Sequence, residues 1–269
     1  MKTKSMKNHS EDQTINVNNG DIKVSQRVVS EEQYSRLMSQ LRIALVPTEA
    51  HRELLKTAVH KEVEDLSVIV HAFVPQSEGI TKNLVVTDNA LDAMEIDREQ
   101  FMKDAIAASE RNYPAGIAKL SSFLGVEEGT ATDLYVASMP DMANGAGVVL
   151  YPHFMEKAAQ ELGGDFYVIP SSVHEVLLLK NDGSIALEDM EEIVRSVNRS
   201  EVSREDFLSD NVYHFDATQR KLEIGEKFQE RKFHEKEDRH SVLTELSSNK
   251  TALKASAEKA VRNKSEMEL

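Results

Sequence analysis

FYVIPSSVHEVLLL, residues 166–179, decides how the rest of the chain is read. Two apolar runs flank Pro170-Ser171-Ser172, and a His-Glu pair opens the second run. The composition predicts a strand, a tight bend at the Pro-Ser-Ser, and a returning strand from Val173 to Leu179. A continuous apolar run suits a strand covered on both faces. Phe166, Val168, Ile169, Val176, Leu177 and Leu178 are therefore expected to be buried at the centre of a sheet. The same stretch holds the residues that most resemble chemistry: Ser171, Ser172, His174 and Glu175. In a hydrolase reading, Ser171 or Ser172 is the nucleophile and His174 its base. Side chains alternate faces along a strand, so His174 and Glu175 would point to opposite sides. Neither serine sits in a glycine-flanked nucleophile elbow. The structural alternative is that the serines bond local backbone at a bend. Glu175, in an apolar strand, needs a donor or a cation, and Arg195 on the following helix is a candidate by type.

Toward the C-terminus, Asn181-Asp182-Gly183 reads as a turn. A helix follows with Leu187, Met190, Ile193, Val194 and Val197 inward. Val212–Phe215 reads as a strand, with Leu222 and Ile224 as its partner. Toward the N-terminus, Gly163-Gly164 stops a helix that Pro152 starts, with Met155, Ala158, Ala159 and Leu162 on its buried stripe. Before it, 133–139 and Gly147–Tyr151 are expected to be strands joined by PDMANG. Asp97 and Gln100 form a capping box ahead of a helix ending near Pro114. Residues 65–74 and 82–87 read as strands, with a hairpin or a short loop expected between them at Pro75 and Gly79. Ser30 and Gln33 open a helix on which Tyr34, Leu37, Met38, Leu41 and Leu45 are spaced, with Pro47 as its stop. Thr48 caps another helix bearing Leu54, Leu55, Ala58 and Val59. The fold class expected is α+β: mainly antiparallel sheets built from strand pairs, with helices packed on them. The organisation expected is a mobile segment at 1–29, a helical segment at 30–62, an α+β domain at 63–225 and a charged tail at 226–269, helical or disordered.

The chain has 269 residues, 40% of them hydrophobic, enough for a sizeable core. Its 46 acidic and 32 basic residues give a net charge of −14. From Gly225 on there are 10 Lys+Arg and 9 Asp+Glu, so the acidic excess lies on residues 1–224. Such a body repels phosphate, which disfavours general nucleic-acid binding. There is no cysteine, which rules out disulfides, thiolate nucleophiles and cysteine metal sites. No apolar run approaches the roughly 20 residues that span a bilayer, and the polar N-terminus lacks the apolar stretch of a signal peptide. The chain is expected to be soluble, cytoplasmic and without membrane contact. His51, His60, His71, His153, His234 and His240 form no local ligand pair, and no HExxH, GxGxxG or Walker pattern occurs. No metal and no cofactor is expected.

NGAGVVLYPHFMEKAAQELGGDFYVIPSSVHEVLLL (144–179), EIVRSVNRSEV (192–202) and LSDNVYHFD (208–216) are unusual words in a fixed order. On them the chain resembles a bacterial (Firmicutes) family known only as a domain of unknown function. HRELLKTAVHKEVEDLSVIVHAFV (51–74) and KNLVVT (82–87) match the family's earlier part more loosely. The segment ahead of "RELL" and the tail after Gly225 depart from its pattern. The resemblance implies a fold, a kinship and an accessory role in a mobile element. It carries no catalytic residues.

Three functional classes follow. The first is a non-catalytic interaction or regulatory protein with a protein partner, acting through its acidic surface or a sheet edge. The second is a hydrolase using Ser171 or Ser172 with His174. The third is an acidic decoy that mimics nucleic acid for a basic partner.

Overall fold

A computed structural model describes residues 29–75, 81–124, 134–237, 239 and 250. The chain divides into two compact units, Met1–Leu222 and Glu223–Leu269. The first is an α+β unit with two antiparallel sheets.

Helix α1 (Glu31–Met38) starts at a complete capping box: Gln33 N–H donates to Ser30 Oγ, and Ser30 N–H donates to the Gln33 side chain. Next, β1 (Leu41–Pro47) lies antiparallel to β3 (Leu66–Pro75) in the first sheet. On the other side of β3 lie β2 (His60–Val63) and β4 (Thr81–Val85). Between β1 and β2 sit a 3-10 turn (Glu49–His51) and the one-turn helix α2 (Arg52–Leu55). The register puts Leu41, Ile43 and Leu45 on one face of the sheet with Val68 and Val70. Ala44 and Ile69 on the other face pack with Leu55 and Ala58. Helix α3 (Asp88–Ala93) leads to α4 (Arg98–Asn112). Asp97 caps α4 by accepting from Gln100 N–H, while the Gln100 side chain reaches forward to Asp104 instead of back to the cap. Along its flank α4 covers the open edge of β1. Ser109 Oγ accepts from Ile43 N–H at 3.1 Å, and the Asn112 amide donates to the carbonyls of Met38 (2.9 Å) and Leu41 (3.4 Å).

The second sheet begins with β5 (Gly116–Lys119), followed by helix α5 (Leu120–Leu124) and β6 (Leu134–Ser138). A 3-10 helix (Gly145–Leu150) packs on β1 and β6, then α6 (Pro152–Leu162) follows. The N-terminus of α6 is capped from α4: Phe154 N–H donates to Glu110 Oε1 at 3.1 Å. The hairpin β7 (Phe166–Ser172) and β8 (Glu175–Lys180) comes next, then α7 (Leu187–Ser200), β9 (Tyr213–Asp216) and β10 (Lys221–Ile224). The strand order is β10-β9-β7-β8-β6-β5, so the hairpin sits at the centre. Helix α7 covers one face, where Leu187, Met190 and Val194 pack on Tyr167, Leu179 and Val212. The opposite face meets the first sheet around a cavity of about 10 Å³, lined by Leu45, Leu66, Val149, Val168, Val176 and Tyr213.

Several expectations are corrected. The helix drawn through to Pro47 stops at Met38, and residues 41–47 form a strand, so 30–62 is not a helical segment. Spacings of three and four also fit a short apolar run; Ile43 and Val46, β-branched, favour the strand once β3 is there to pair with. Gly147–Tyr151 is not a strand. Gly145 lacks the Cβ that would hit the backbone of His174 and Met139, and Gly147 packs closely on Ile43, so the run coils into the core as a 3-10 helix. The bend of the central hairpin is Val173-His174, not Pro-Ser-Ser. Pro170 lies within β7 at an irregularity in the register, where its missing N–H is tolerated. On α7, Ile193 and Val197 are 60% and 44% exposed, and the fourth buried position is Glu191. Of the six hairpin residues expected to be buried, Phe166, Val168, Val176 and Leu178 are; Ile169 and Leu177 are half-buried.

In the second unit residues 225–237 are helical. Arg231 pairs with Glu223, and with Glu235 at 2.9 Å, and its guanidinium lies over Phe228. The mobile segment expected at 1–29, but for its last residue, and most of the tail after His240 lie outside the described residues.

Candidate functional site

The Val173-His174 turn carries all four residues singled out from the sequence. Ser172 Oγ accepts from His174 N–H at 3.1 Å, and Ser171 Oγ donates to Glu175 Oε1 at 3.1 Å. Each serine is therefore engaged inside the hairpin. Both nitrogens of the His174 ring are also engaged. Nδ1 accepts from Asn144 N–H at 3.3 Å, which places the ring proton on Nε2, where it donates to Asp206 Oδ1 at 3.1 Å. The lone pair a general base would use is already directed at a backbone N–H. The four residues share one turn, but no nucleophile–base pair forms among them. Glu175 is half-buried on Ser171, and Arg195 pairs instead with Glu191 at 3.4 Å, so the Arg195 partnership is not formed.

Asp206 is itself fixed. Ser203 Oγ donates to its Oδ2 at 2.8 Å, and its carbonyl accepts from Val173 N–H at 2.9 Å. On the other side of the turn, Ser138 Oγ donates to the His174 carbonyl at 2.7 Å, and Ala146 N–H donates to the Val173 carbonyl at 3.2 Å. Gly145 lies so close that an added Cβ would stand 2.0 Å from Ser138 Oγ and 2.3 Å from the His174 carbonyl oxygen. Only glycine fits there.

The loop from Pro140 to Asn144 thus has one end on the His174 turn. Its other end is held by Arg42 of β1. The guanidinium bonds Asp141 Oδ2 at 2.6 Å and the Ala143 carbonyl at 3.1 Å, with its side chain only 5% exposed. Asp141 Oδ1 accepts from Ala143 N–H at 3.2 Å. Desolvation pulls the Asp141 carboxyl upward, but the Arg42 and Ala143 hydrogen bonds outweigh it and hold the group below the usual range. Nearby, burial and the Arg42 charge depress His71, against the opposing hydrogen bond to Asn83. Beneath lies a buried hydroxyl pair, Ser109 and Tyr151 at 2.7 Å; burial pushes the Tyr151 phenol up to about 12. Within the loop Met142 (φ 60°) and Asn144 (φ 53°) take left-handed conformations, and Met142 is 41% exposed at the tip.

A second polar group ties the two sheets together. Asp65, at the β2–β3 turn, accepts from Tyr213 Oη at one oxygen and from Ser209 Oγ at the other, the latter at 2.7 Å. Burial and the Asp65 charge raise the Tyr213 phenol far above its ordinary value. Asn198 of α7 donates to the Ser209 carbonyl and to Asp210. Among the described residues, no three His, Asp or Glu side chains are placed to hold a metal ion, and no helix is long and apolar enough to cross a membrane.

Sequence reading missed Arg42, Asp141, Asn144 and Asp206. Arg42 had a signal, a lone cation within an apolar run. Asp206 had none, since its role depends on a loop folding back across the hairpin.

Searches of curated proteins and of solved structures return no significant match. The model of a family of unknown function, DUF5688, matches residues 2–217. With four-fifths of its length inside that match, the chain belongs to the DUF5688 family.

Proposed function

We propose that this protein works in the cytosol by binding another protein and not by turning over a substrate, with the 140–144 loop as its contact point. The observation that carries this reading is the exposed Met142 on a loop held in position from both ends. Methionine at positive φ is costly, of the order of 1 kcal/mol or more, whereas Asn144 tolerates that region, and such strained conformations cluster at binding and switch sites. The buried Arg42 and the His174 turn hold them in place. A loop ordered before contact loses little entropy on binding, and a methionine at its tip adapts to an apolar recess. The closed hydrogen-bonding of Ser171, Ser172 and His174 argues against the hydrolase alternative.

Crosslinking and pulldown from the native host, with wild-type full-length protein beside Met142→Glu, tests the reading. A partner captured by the wild type and lost with Met142→Glu supports it. Equal capture by both moves the contact elsewhere. Turnover of an ester, phosphate or peptide substrate that His174→Ala abolishes at unchanged stability would overturn it.

A further inference from the structure

Helix α7 spans 14 residues, and its outer face carries exposed apolar side chains beside an ordered run of charge. At 100° per residue, Ile193 and Val197 lie on one flank of that face, both exposed. On the other flank stand Glu188, Glu192, Arg195 and Arg199, all exposed. The order of charge on this flank is the informative feature. Glu188 and Glu192 are four apart and alike, and so are Arg195 and Arg199. Like charges at that spacing repel within a single helix. The acidic half comes first and the basic half second, so the flank complements its own reverse.

We propose that the outer face of α7 is a docking surface for a second copy of this chain, with the two helices antiparallel across a two-fold axis. In an isologous contact each flank meets its own counterpart. An axis crossing α7 midway between Ile193 and Val194 sets Glu188 against the second copy's Arg199, and Glu192 against the second copy's Arg195. The same axis brings Ile193 of each copy together on the apolar flank, with Val197 beside it. Both like-charge repulsions are relieved by one placement. Arg195 keeps donors for this role, because its bond to Glu191 is a single contact at 3.4 Å. One helix pair is a modest interface, so a weak, reversible association is expected, on the order of micromolar or weaker.

Sedimentation velocity of the full chain, from roughly 1 µM to several hundred µM, reads the monomer–dimer balance. The expected result is a concentration-dependent dimer that Ile193→Glu weakens at least tenfold. Glu188→Arg and Arg199→Glu each weaken it alone, and the two together restore it. Thermal melts of each variant check that the fold is intact, as expected at exposed positions. A monomer at every concentration overturns the proposal. So does a dimer that Ile193→Glu leaves intact, or one that the paired charge reversal fails to restore.

Discussion

The guanidinium of Arg42 lies over the ring of Tyr113, its central carbon 3.8 Å from the ring centroid, and the ring of Phe73 is 5.4 Å away. A cation in an otherwise apolar strand is thus kept by two aromatic faces, a carboxylate and a backbone carbonyl. Arg42→Lys keeps the charge but loses the planar fork and the stacking. It is expected to cost about 2 kcal/mol in urea unfolding with an unchanged m value, and Arg42→Ala more. Equal stability of Arg42→Lys and wild type would show that the stacking contributes nothing.

Gly145→Ala is expected to be among the most damaging single changes, about 3 kcal/mol or more, because its Cβ would meet backbone that cannot move aside. Gly147→Ala meets Ile43 at 3.3 Å and should cost far less. Thermal melts of the two variants side by side check the contrast.

In the central hairpin, Leu178→Ala should cost about 2–5 kcal/mol, since the side chain is fully buried and a cavity remains. Ser171→Ala, Ser172→Ala and Glu175→Gln should each stay within about 1 kcal/mol, since their bonds are local and partly open to water. A large loss from either serine would mean that the turn is held by hydroxyl chemistry and not by packing.

Stability should fall on acidification in two stages. His71 is depressed in the folded state, so below about pH 6.5 the unfolded chain takes up a proton that the folded chain refuses, and stability declines as pH falls from there. Asp141 is also depressed. Its contribution is fully present above the ordinary carboxylate pKa and is lost as pH falls through the lower folded value. Chemical denaturation of His71→Gln across pH 7 to 5 should show a flatter profile than wild type. An identical slope would remove His71 from the account.

What could be read in advance follows from the range of the forces involved. Helix starts with local caps were legible, because Ser30–Gln33 and Asp97–Gln100 carry their partners within one turn. The β3 and β4 strands and the central position of the β7–β8 hairpin were legible from apolar runs broken by turn residues. The β1 strand was not, because its identity depends on β3, whose paired residues lie 19 to 31 positions further on. The bend at Val173-His174 was displaced in the reading because proline and serine are the usual turn residues, while the contacts that fix the real bend come from Ser138, Ala146 and Asp206. Ile193 and Val197 were assigned inward by apolarity alone; the sheet takes Glu191 on that side instead. The candidate chemistry at Ser171, Ser172 and His174 was visible as residue types. Its closure by Asn144 and Asp206 was not.

The bonds from Ser109 and Asn112 to β1 have a consequence for how the chain is made. The strand emerges from the ribosome first, and the Ser109 hydroxyl that occupies its outward N–H follows 66 residues later. Until α4 is synthesised, the apolar run Leu41–Val46 exposes one line of backbone donors and acceptors to any other nascent strand. A ribosome stalled before residue 109 would hold the chain with that edge uncovered.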